Sequence, residues 1–429
     1  MKSLKLFSLL LIVALSLGAA SVFAQDEAPT GELEIFSWWT GGGEEAGLNA
    51  LIERFAELYP EVDVVNSAVA GGSGVNARAV LTTRMLGGDP PDTFQVHAGE
   101  ELNAVWVAAD RMEPLNDIYE ANGWLEQYPE GLLELISDDE GNIFSVPVNI
   151  HRSNVLWYVP ANLEQWGVTV PATWDEFINE TCPALQAADV TPLTVGENWT
   201  QAHLFESVAL GELGVEAYNG LWDGTTDWAS PEVVAVWEKY GQVLDCTNDD
   251  RNSLSWQDAS QRVAEGAAAF NIMGDWAAGY FLVDLALEPG EGFAWSPAPG
   301  TDGVFMMLSD TFGLPVGAPN ASAVNAWLSF LGTAEAQDIF NPLKGSLPAN
   351  TTADIANGEL YNAYFQDAYE DWTTNEIVGS QAHGAVAPPD FSNGFATIIA
   401  TFADNRDAAA AGEATAALVQ NTGMVAEGM

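Results

Sequence analysis

The chain has 429 residues, 61 of them acidic and only 12 basic, which gives a formal net charge of −49. A surface this acidic repels nucleic acid and anionic lipid, because binding to either needs patches of Lys and Arg. The acidic residues are dispersed and form no EF-hand-like spacing, so they are interpreted as a solvated coat. Hydrophobic residues make up 48% of the chain, which excludes an intrinsically disordered protein.

The first 24 residues have the pattern of a secretory signal peptide. A short basic start precedes an apolar run over residues 6–20, and small residues come before the predicted cleavage after Ala24. No other apolar run approaches the roughly 20 residues of a membrane-spanning helix. The sequence therefore predicts a mature protein from about Gln25, exported to the periplasm or the cell exterior and not inserted into a membrane.

Strands and helices alternate along the first part of the mature chain. Strands are predicted at 33–37, 62–65 and 93–96, with helical periodicity between them. This β-α-β-α-β order predicts a parallel sheet, whose ligand-facing edge lies at the carboxyl ends of its strands. Four polar or aromatic residues lie where these strands end and are predicted to reach that edge: Trp38, Trp39, Gln95 and His97.

A mature chain of this length exceeds one ordinary core, so two domains are expected. The polar segment 151–154 lies between two apolar runs and is interpreted as an extended crossing between them, with structural roles for His151 and Arg152. A Pro/Gly-rich segment at 296–303 is interpreted as the return. These crossings predict a first lobe of residues 25–150 and 301–345, and a second lobe of residues 151–300 and 346–429.

The chain has two cysteines, Cys182 and Cys246. Disulfides persist in an exported protein, so a bridge between the two and a pair of buried free thiols are both open. The chain has no Cys-x-x-Cys motif and no histidine near either cysteine, which disfavours redox catalysis and zinc binding.

The segment IFSWWTGGGEE, residues 35–45, raises the possibility of a nucleotide site. The dinucleotide motif G-x-G-x-x-G needs a glycine at position 46, which is Ala46, and the chain has no phosphate-binding G-x-x-x-x-G-K-S/T. Nucleotide binding is therefore disfavoured, and the glycines are interpreted as a turn that lets the backbone pass close to a ligand.

A secreted glycoside hydrolase is a rival hypothesis. Acidic residues are so numerous that their spacing carries no information about a catalytic pair. The chain contains neither G-x-S-x-G nor His-Glu-x-x-His, and its four histidines are scattered along the sequence. These observations disfavour a hydrolase.

The tryptophans favour a sugar ligand. Many of the 16 lie beside glycines and polar residues, as in residues 37–39, 196–201, 254–257 and 274–276. Sugar rings have apolar C–H faces and polar rims, and their sites pair a flat aromatic wall with amide, carboxylate and imidazole groups.

Two further segments carry a family resemblance. GVTVPATWDEF at 167–177 and GAAAFNIMGDW at 266–276 resemble segments of the substrate-binding proteins of bacterial sugar ABC transporters, solute-binding family 1. LEIFSWW at 33–39 and the GDPPD turn at 88–92 also fit, and the most similar branch is the glucose/galactose/mannose-binding one. The chain departs from the family in the crossing segment, which reads NVLWYV at 154–159 where Tyr is usually followed by Asn or Asp.

The resemblance implies a periplasmic-binding-protein-like fold of class α/β, with two α/β lobes, central sheets, crossing hinge segments and the ligand in the interlobe cleft. It implies a monomeric binding protein without catalysis or cofactor, which delivers a monosaccharide to membrane permease subunits. Glucose is the expected ligand and galactose or mannose are possible, while an oligosaccharide or a polyol is the alternative. The preferred epimer is left open.

The same resemblance implies the site residues. Ring stacking is assigned to tryptophans: Trp38 or Trp39, Trp256 and Trp276. Hydroxyl contacts are assigned to seven polar positions, with the first two as alternatives: Glu44 or Glu45, Gln95, His97, Asp310, Lys344 and His383.

Overall fold

The computed structural model describes residues 28–71 and 74–424, so the predicted signal peptide lies outside the described residues. Strands of two to six residues form three sheets. In chain order they are β1 (Gly31–Phe36), β2 (Val62–Asn66), β3 (Thr93–His97), β4 (Ser145–Pro147), β5 (His151–Arg152), β6 (Val155–Tyr158), β7 (Thr191–Thr194), β8 (Ala268–Ile272), β9 (Ala294–Pro297), β10 (Val304–Leu308), β11 (Asp310–Gly313) and β12 (Glu376–Gly379).

Helices connect these strands and cover the sheets. In chain order they are α1 (Gly42–Leu58), α2 (Val75–Gly87), α3 (Glu100–Leu102), α4 (Asn116–Asn122), α5 (Glu130–Leu135), α6 (Pro160–Trp166), α7 (Trp174–Glu176), α8 (Cys182–Ala187), α9 (Asn198–Asp223), α10 (Pro231–Leu244), α11 (Trp256–Ala264), α12 (Trp276–Gly279), α13 (Ala321–Leu331), α14 (Ala334–Lys344), α15 (Ala363–Thr374), α16 (Pro389–Asn405) and α17 (Ala408–Thr422). None of them, within the described residues, is long and apolar enough to cross a membrane.

The first lobe is built on a five-stranded sheet with the order β2-β1-β3-β11-β4. The predicted parallel arrangement is confirmed for β1, β2 and β3. Strand β11 runs antiparallel to β3, so the sheet as a whole is mixed. The reason is that β11 enters from the opposite end, directly after the chain returns through β10. Its register sets Asp310 opposite His97, which brings two predicted site residues together at one sheet edge.

The second lobe is built on a four-stranded sheet with the order β7-β8-β6-β9, and α9, α10, α16 and α17 enclose its core. Cys182 and Cys246 form a disulfide, with their Cα atoms 5.9 Å apart. Of the two alternatives left open by the sequence, the bridge is therefore the one that the structure adopts. It ties the start of α8 to the segment after α10.

A separate three-stranded sheet, β12-β10-β5, connects the lobes. The segment 151–154, predicted as a crossing, contains β5, and β5 pairs with β10 in this sheet. Asn154 fixes this crossing, because its Oδ1 accepts a hydrogen bond of 3.0 Å from the backbone N–H of Met306. Strand β12 pairs with β10 and is the third strand of this sheet. The lobe boundaries at 150, 300 and 345 stay a prediction.

The lobes touch where α12 of the second lobe meets α1 and α14 of the first. Backbone meets backbone here, since a Cβ added at Gly279 would lie 2.6 Å from the carbonyl oxygen of Leu343. At Gly43 an added Cβ would lie only 2.1 Å from the same oxygen. Gly43, at the start of α1, therefore allows a close approach between chain segments, and its neighbour Gly42 has a positive φ of 65°.

Candidate functional site

A cavity of about 200 Å³ lies between the lobes, below the roughly 300–1,000 Å³ typical of sites for drug-sized ligands. Its walls include eight of the predicted site residues: Trp38, Glu44, His97, Trp256, Trp276, Asp310, Lys344 and His383. Three others do not line it: Trp39, Glu45 and Gln95.

The two adjacent tryptophans lie in different surroundings. Trp38 lines the cavity, and its ring lies 5.0 Å from that of His97 between centroids. Trp39 is only 1% exposed and packs into the first lobe against Phe312 and Phe340, with centroid distances of 5.5 and 4.9 Å. Of the two rings, only that of Trp38 therefore reaches the cavity.

Glu44 and Glu45 begin helix α1 and also differ in placement. Glu44 lines the cavity and accepts a hydrogen bond of 2.9 Å from Nζ of Lys344. Glu45 is exposed to solvent. Neighbouring residues on a helix face different directions, so only one of the two reaches the cavity.

Gln95 is buried behind the cavity wall. Its Nε2 donates a hydrogen bond of 2.7 Å to Oδ1 of Asp310, and its Oε1 accepts one of 3.1 Å from the backbone N–H of Trp38. Gln95 therefore holds two wall residues in position.

Both carboxylate oxygens of Asp310 accept hydrogen bonds from buried amide side chains. Beside the bond from Gln95, its Oδ2 accepts a hydrogen bond of 2.8 Å from Nδ2 of Asn149. Burial by itself would raise the pKa of Asp310, but the nearby imidazole of His151 and the charge of Lys344 hold that pKa well below its usual range. Asp310 is therefore an ionised acceptor at the cavity.

His151 lies on the cavity wall, although the sequence analysis assigned it a structural role in the hinge. Its Nδ1 is hydrogen-bonded to Oδ1 of Asp275, and its Nε2 lies 3.4 Å from Oδ2 of Asp310. Burial and Lys344 oppose its protonation, yet the carboxylates of Asp275 and Asp310 outweigh them and raise the pKa of His151 above its ordinary value.

A hydrogen bond to Glu101 orients the ring of His97. Its Nδ1 forms a hydrogen bond of 2.7 Å with Oε2 of Glu101, which also accepts one of 3.3 Å from Arg78. Burial would raise the pKa of Glu101, but the charges of Arg78 and His97 lower it below the ordinary value. This arrangement leaves Nε2 of His97 on the side of Asp310, 3.7 Å from Oδ1.

The second lobe supplies an aromatic wall. Trp256 begins α11, which is fixed by a capping box between Ser255 and Asp258. Trp276 begins α12, and its ring lies 4.9 Å from that of His383. Trp199, near the start of α9, also lines the cavity and was not assigned to the site by the sequence analysis. The sequence analysis did note the segment 196–201, which contains Trp199, as one that combines an aromatic ring with polar residues.

Two lobes, a three-stranded hinge sheet and an aromatic-walled cavity between the lobes define a two-lobed binding protein. Residues 40–338 match the family model described as bacterial extracellular solute-binding protein. An uncharacterized ABC transporter extracellular-binding protein of Pyrococcus horikoshii is 33% identical over 419 residues, which cover 94% of this chain and 93% of that protein. The xylose/arabinose-binding protein XacG of Haloferax volcanii is 31% identical over 364 residues, which cover 83% of this chain and 78% of that protein.

Among solved structures, the bacterial solute receptor AcbH has the same fold, with a TM-score of 0.79 at 19% identity. The match covers 91% of this chain and 99% of that one. The chain belongs to the bacterial extracellular solute-binding protein family. It is therefore a binding protein and not an enzyme, and the hydrolase hypothesis is set aside.

Proposed function

We propose that this protein is the sugar-binding component of an ABC import system and holds one monosaccharide in the interlobe cavity. The observation that carries the proposal is the composition of the cavity wall. Four tryptophan rings, Trp38, Trp199, Trp256 and Trp276, line the cavity together with a buried polar set that includes Asp310 and Lys344. Flat apolar walls with a few convergent polar groups suit a sugar, whose ring faces are apolar and whose rim is polar.

The size of the cavity supports a single sugar ring. A volume of about 200 Å³ lies below the roughly 300–1,000 Å³ of sites for drug-sized ligands, so the cavity suits a small ligand. An oligosaccharide would need a longer groove. The xylose/arabinose-binding relative is named for two monosaccharides, which also favours a ligand of this size.

Charge supports a neutral, polyhydroxy ligand. Lys344 and His151 are already balanced by carboxylates at the wall, so the cavity has no surplus of positive charge that would attract an anion. An ionised Asp310 accepts from hydroxyls, while Lys344 donates to them. Leaving such buried groups unpaired costs free energy, so a ligand that lacks the matching hydroxyl is rejected.

The placement of the cavity supports a closing mechanism. A sugar in it touches Trp38 and Asp310 of the first lobe and Trp256 and Trp276 of the second. A ligand that contacts both lobes favours the closed state over the open one. The closed form is then the one that membrane permease subunits recognise, outside the cytoplasmic membrane. Glucose is the proposed ligand, with galactose, mannose, a pentose and short oligosaccharides as competitors.

Tryptophan fluorescence tests this function. The mature chain from Gln25 is titrated with glucose, galactose, mannose, xylose, arabinose and maltose, and the recovered sugar is analysed for cleavage. We expect a saturable response to a monosaccharide that is recovered intact. A chain that responds to none of the monosaccharides, or that cleaves its sugar, contradicts the proposal.

A further inference from the structure

Behind the cavity wall, His203 of α9 connects the hinge to His383. Nε2 of His203 lies 3.0 Å from the backbone carbonyl oxygen of Ser153. A carbonyl oxygen only accepts hydrogen bonds, so this nitrogen carries a proton. In a neutral imidazole the other nitrogen, Nδ1, is then an acceptor.

Nδ1 of His203 lies 3.1 Å from Nε2 of His383. Since His203 accepts at this contact, His383 donates from Nε2 and keeps a lone pair on Nδ1. Ser153 Oγ lies 3.5 Å from the same His203 nitrogen, but it has a better acceptor in Glu206 Oε1 at 3.0 Å. The chain of hydrogen bonds thus determines the tautomer of both rings.

Both histidines are buried and neutral. Burial lowers the pKa of His203 to about 4, and burial together with the neighbouring histidines holds the pKa of His383 well below its ordinary value. Each ring therefore carries one proton at neutral pH, as the hydrogen-bond assignment requires.

Glu206 fixes the backbone that carries His383. Its Oε2 accepts hydrogen bonds from the backbone N–H groups of Gln381 and Ala382, at 2.8 and 3.1 Å. Its Oε1 accepts from Ser380 Oγ at 2.8 Å. His203, Glu206 and His383 lie close enough together to hold a metal ion, but these hydrogen bonds already occupy the carboxylate. The cluster is therefore better described as a hydrogen-bond network.

His383 itself lies at the cavity. Its ring packs 4.9 Å from Trp276 and 5.8 Å from both Trp199 and His97, measured between ring centroids. Among the residues that the structure describes, Nδ1 of His383 has no hydrogen-bond partner. Because His383 lines the cavity, a donor on the ligand can pair with this nitrogen.

We propose that His203 is a positioning residue that sets ligand selectivity: it holds His383 as the Nε2–H tautomer, so the cavity presents an acceptor at Nδ1 that selects a donating sugar hydroxyl. This inference rests on the proposed function, because it takes a sugar as the ligand. One hydroxyl of the sugar then acts as a donor to His383. Replacing that hydroxyl by fluorine or hydrogen removes the donor and leaves the nitrogen unpaired.

The tautomer is tested first, on the ligand-free mature chain. Long-range ¹H–¹⁵N spectra distinguish the two nitrogens of each imidazole, and the chain has only four histidines, which single substitutions assign. We expect His383 as the Nε2–H tautomer in the wild type. A His383 that carries its proton on Nδ1 overturns the proposal, whether or not any variant folds.

Selectivity is tested with a set of monodeoxy and monofluoro glucoses. We expect one ring position at which both replacements weaken binding to the wild type by about 5- to 100-fold, the range of a lost buried hydrogen bond. In His203→Phe, which keeps a planar ring but offers no acceptor, this penalty shrinks. In His203→Gln, whose amide restores a donor and an acceptor, it is largely retained.

Identical penalties in the wild type and in His203→Phe overturn the proposed role of His203. Failure of the proposed function is distinguishable from this outcome, since the chain would then bind no monosaccharide at all while His383 still showed its tautomer in the ligand-free spectrum. Circular dichroism of each variant reports whether it has folded.

Discussion

Nζ of Lys344 lies 4.0 Å from Oδ2 of Asp310, and both side chains are at most 3% exposed. The same ammonium donates to Glu44, and it lies 5.7 and 5.8 Å from the ring centres of Trp39 and Trp276. One buried cation thus balances two carboxylates at the cavity and lies between two aromatic rings. Much of the charge balance of the site depends on it.

Lys344→Met is expected to lower the free energy of unfolding by about 3–5 kcal/mol, because it leaves buried carboxylates without their cation. Urea unfolding followed by circular dichroism measures this change. Lys239→Met is the matched control: Lys239 pairs with Asp175, whose side chain is 74% exposed, so its loss should cost about 0–1 kcal/mol. Equal losses in the two variants contradict the assigned role of Lys344.

Trp256→Ala is expected to weaken sugar binding by about 1–3 kcal/mol, since it removes one aromatic wall of the cavity. Titration calorimetry with the preferred monosaccharide checks this value. Trp166→Ala, which removes a partly buried tryptophan that packs on the second-lobe core, serves as the control and should leave affinity unchanged. An unaltered affinity in Trp256→Ala would remove Trp256 from the site.

Gly279→Ala tests the closing contact between the lobes. Gly279 has helical dihedral angles, so alanine suits its backbone, but the added Cβ would lie 2.6 Å from the carbonyl oxygen of Leu343. The clash disfavours the closed state, and we expect weaker sugar binding and less compaction by small-angle X-ray scattering at saturating sugar.

Gly131→Ala is the control for this experiment. An added Cβ there meets nothing within 4 Å, and the residue lies inside α5. Alanine is a better helix former than glycine, so this variant should gain up to about 1 kcal/mol of stability without a change in affinity. If Gly279→Ala binds and compacts like the wild type, the contact does not limit closure.

Titration of the buried carboxyl group of Glu206 is expected to make the free energy of unfolding depend on pH. Burial outweighs four hydrogen bonds and raises the pKa of Glu206 from 4.5 to about 7, so the folded protein binds this proton more tightly than the unfolded chain. The contribution to stability is fully present below pH 4.5 and is lost as the pH rises through 7. The free energy of unfolding of the wild type minus that of Glu206→Gln should therefore fall across this window, by on the order of 3 kcal/mol.

Urea unfolding of both proteins at a series of pH values gives this difference. His203 and His383 are present in both the wild type and Glu206→Gln, so their titration largely cancels in the difference between the two unfolding free energies. Glu216→Gln, which changes an exposed carboxylate of α9 beyond its kink at Gly214, should give a flat difference curve. A flat curve for Glu206→Gln as well would show that the buried carboxylate does not titrate in this range.

The parts of the fold that could be predicted were those that depend on patterns within a short stretch of sequence. Alternating apolar segments predicted β1, β2 and β3, and the motifs around Trp174 and Trp276 carried the family resemblance. The direction of β11 could not be derived in this way. It depends on where the chain returns from the other lobe, and no pattern within the four residues of that strand records this.

Some residues of the site could likewise be predicted from the sequence, while the roles of others could not. Residues at strand ends, such as His97 and Gln95, were recognisable by position, but only the three-dimensional arrangement shows that His97 faces the cavity while Gln95 supports it from behind. His151 was assigned to the hinge because it lies in a polar crossing; its pairing opposite Leu308, which brings it to the cavity, is a long-range contact. His203 lies within a long helix, where one histidine among apolar neighbours carries no distinctive signal.

Isothermal titration calorimetry of the mature wild-type chain tests the central claim most directly. Glucose, galactose, mannose, xylose and arabinose are each compared with maltose and a longer oligosaccharide under the same buffer conditions. We predict one molecule of a monosaccharide bound per chain, at least tenfold more tightly than any oligosaccharide. Tighter binding of an oligosaccharide, or no heat from any monosaccharide, would contradict the account.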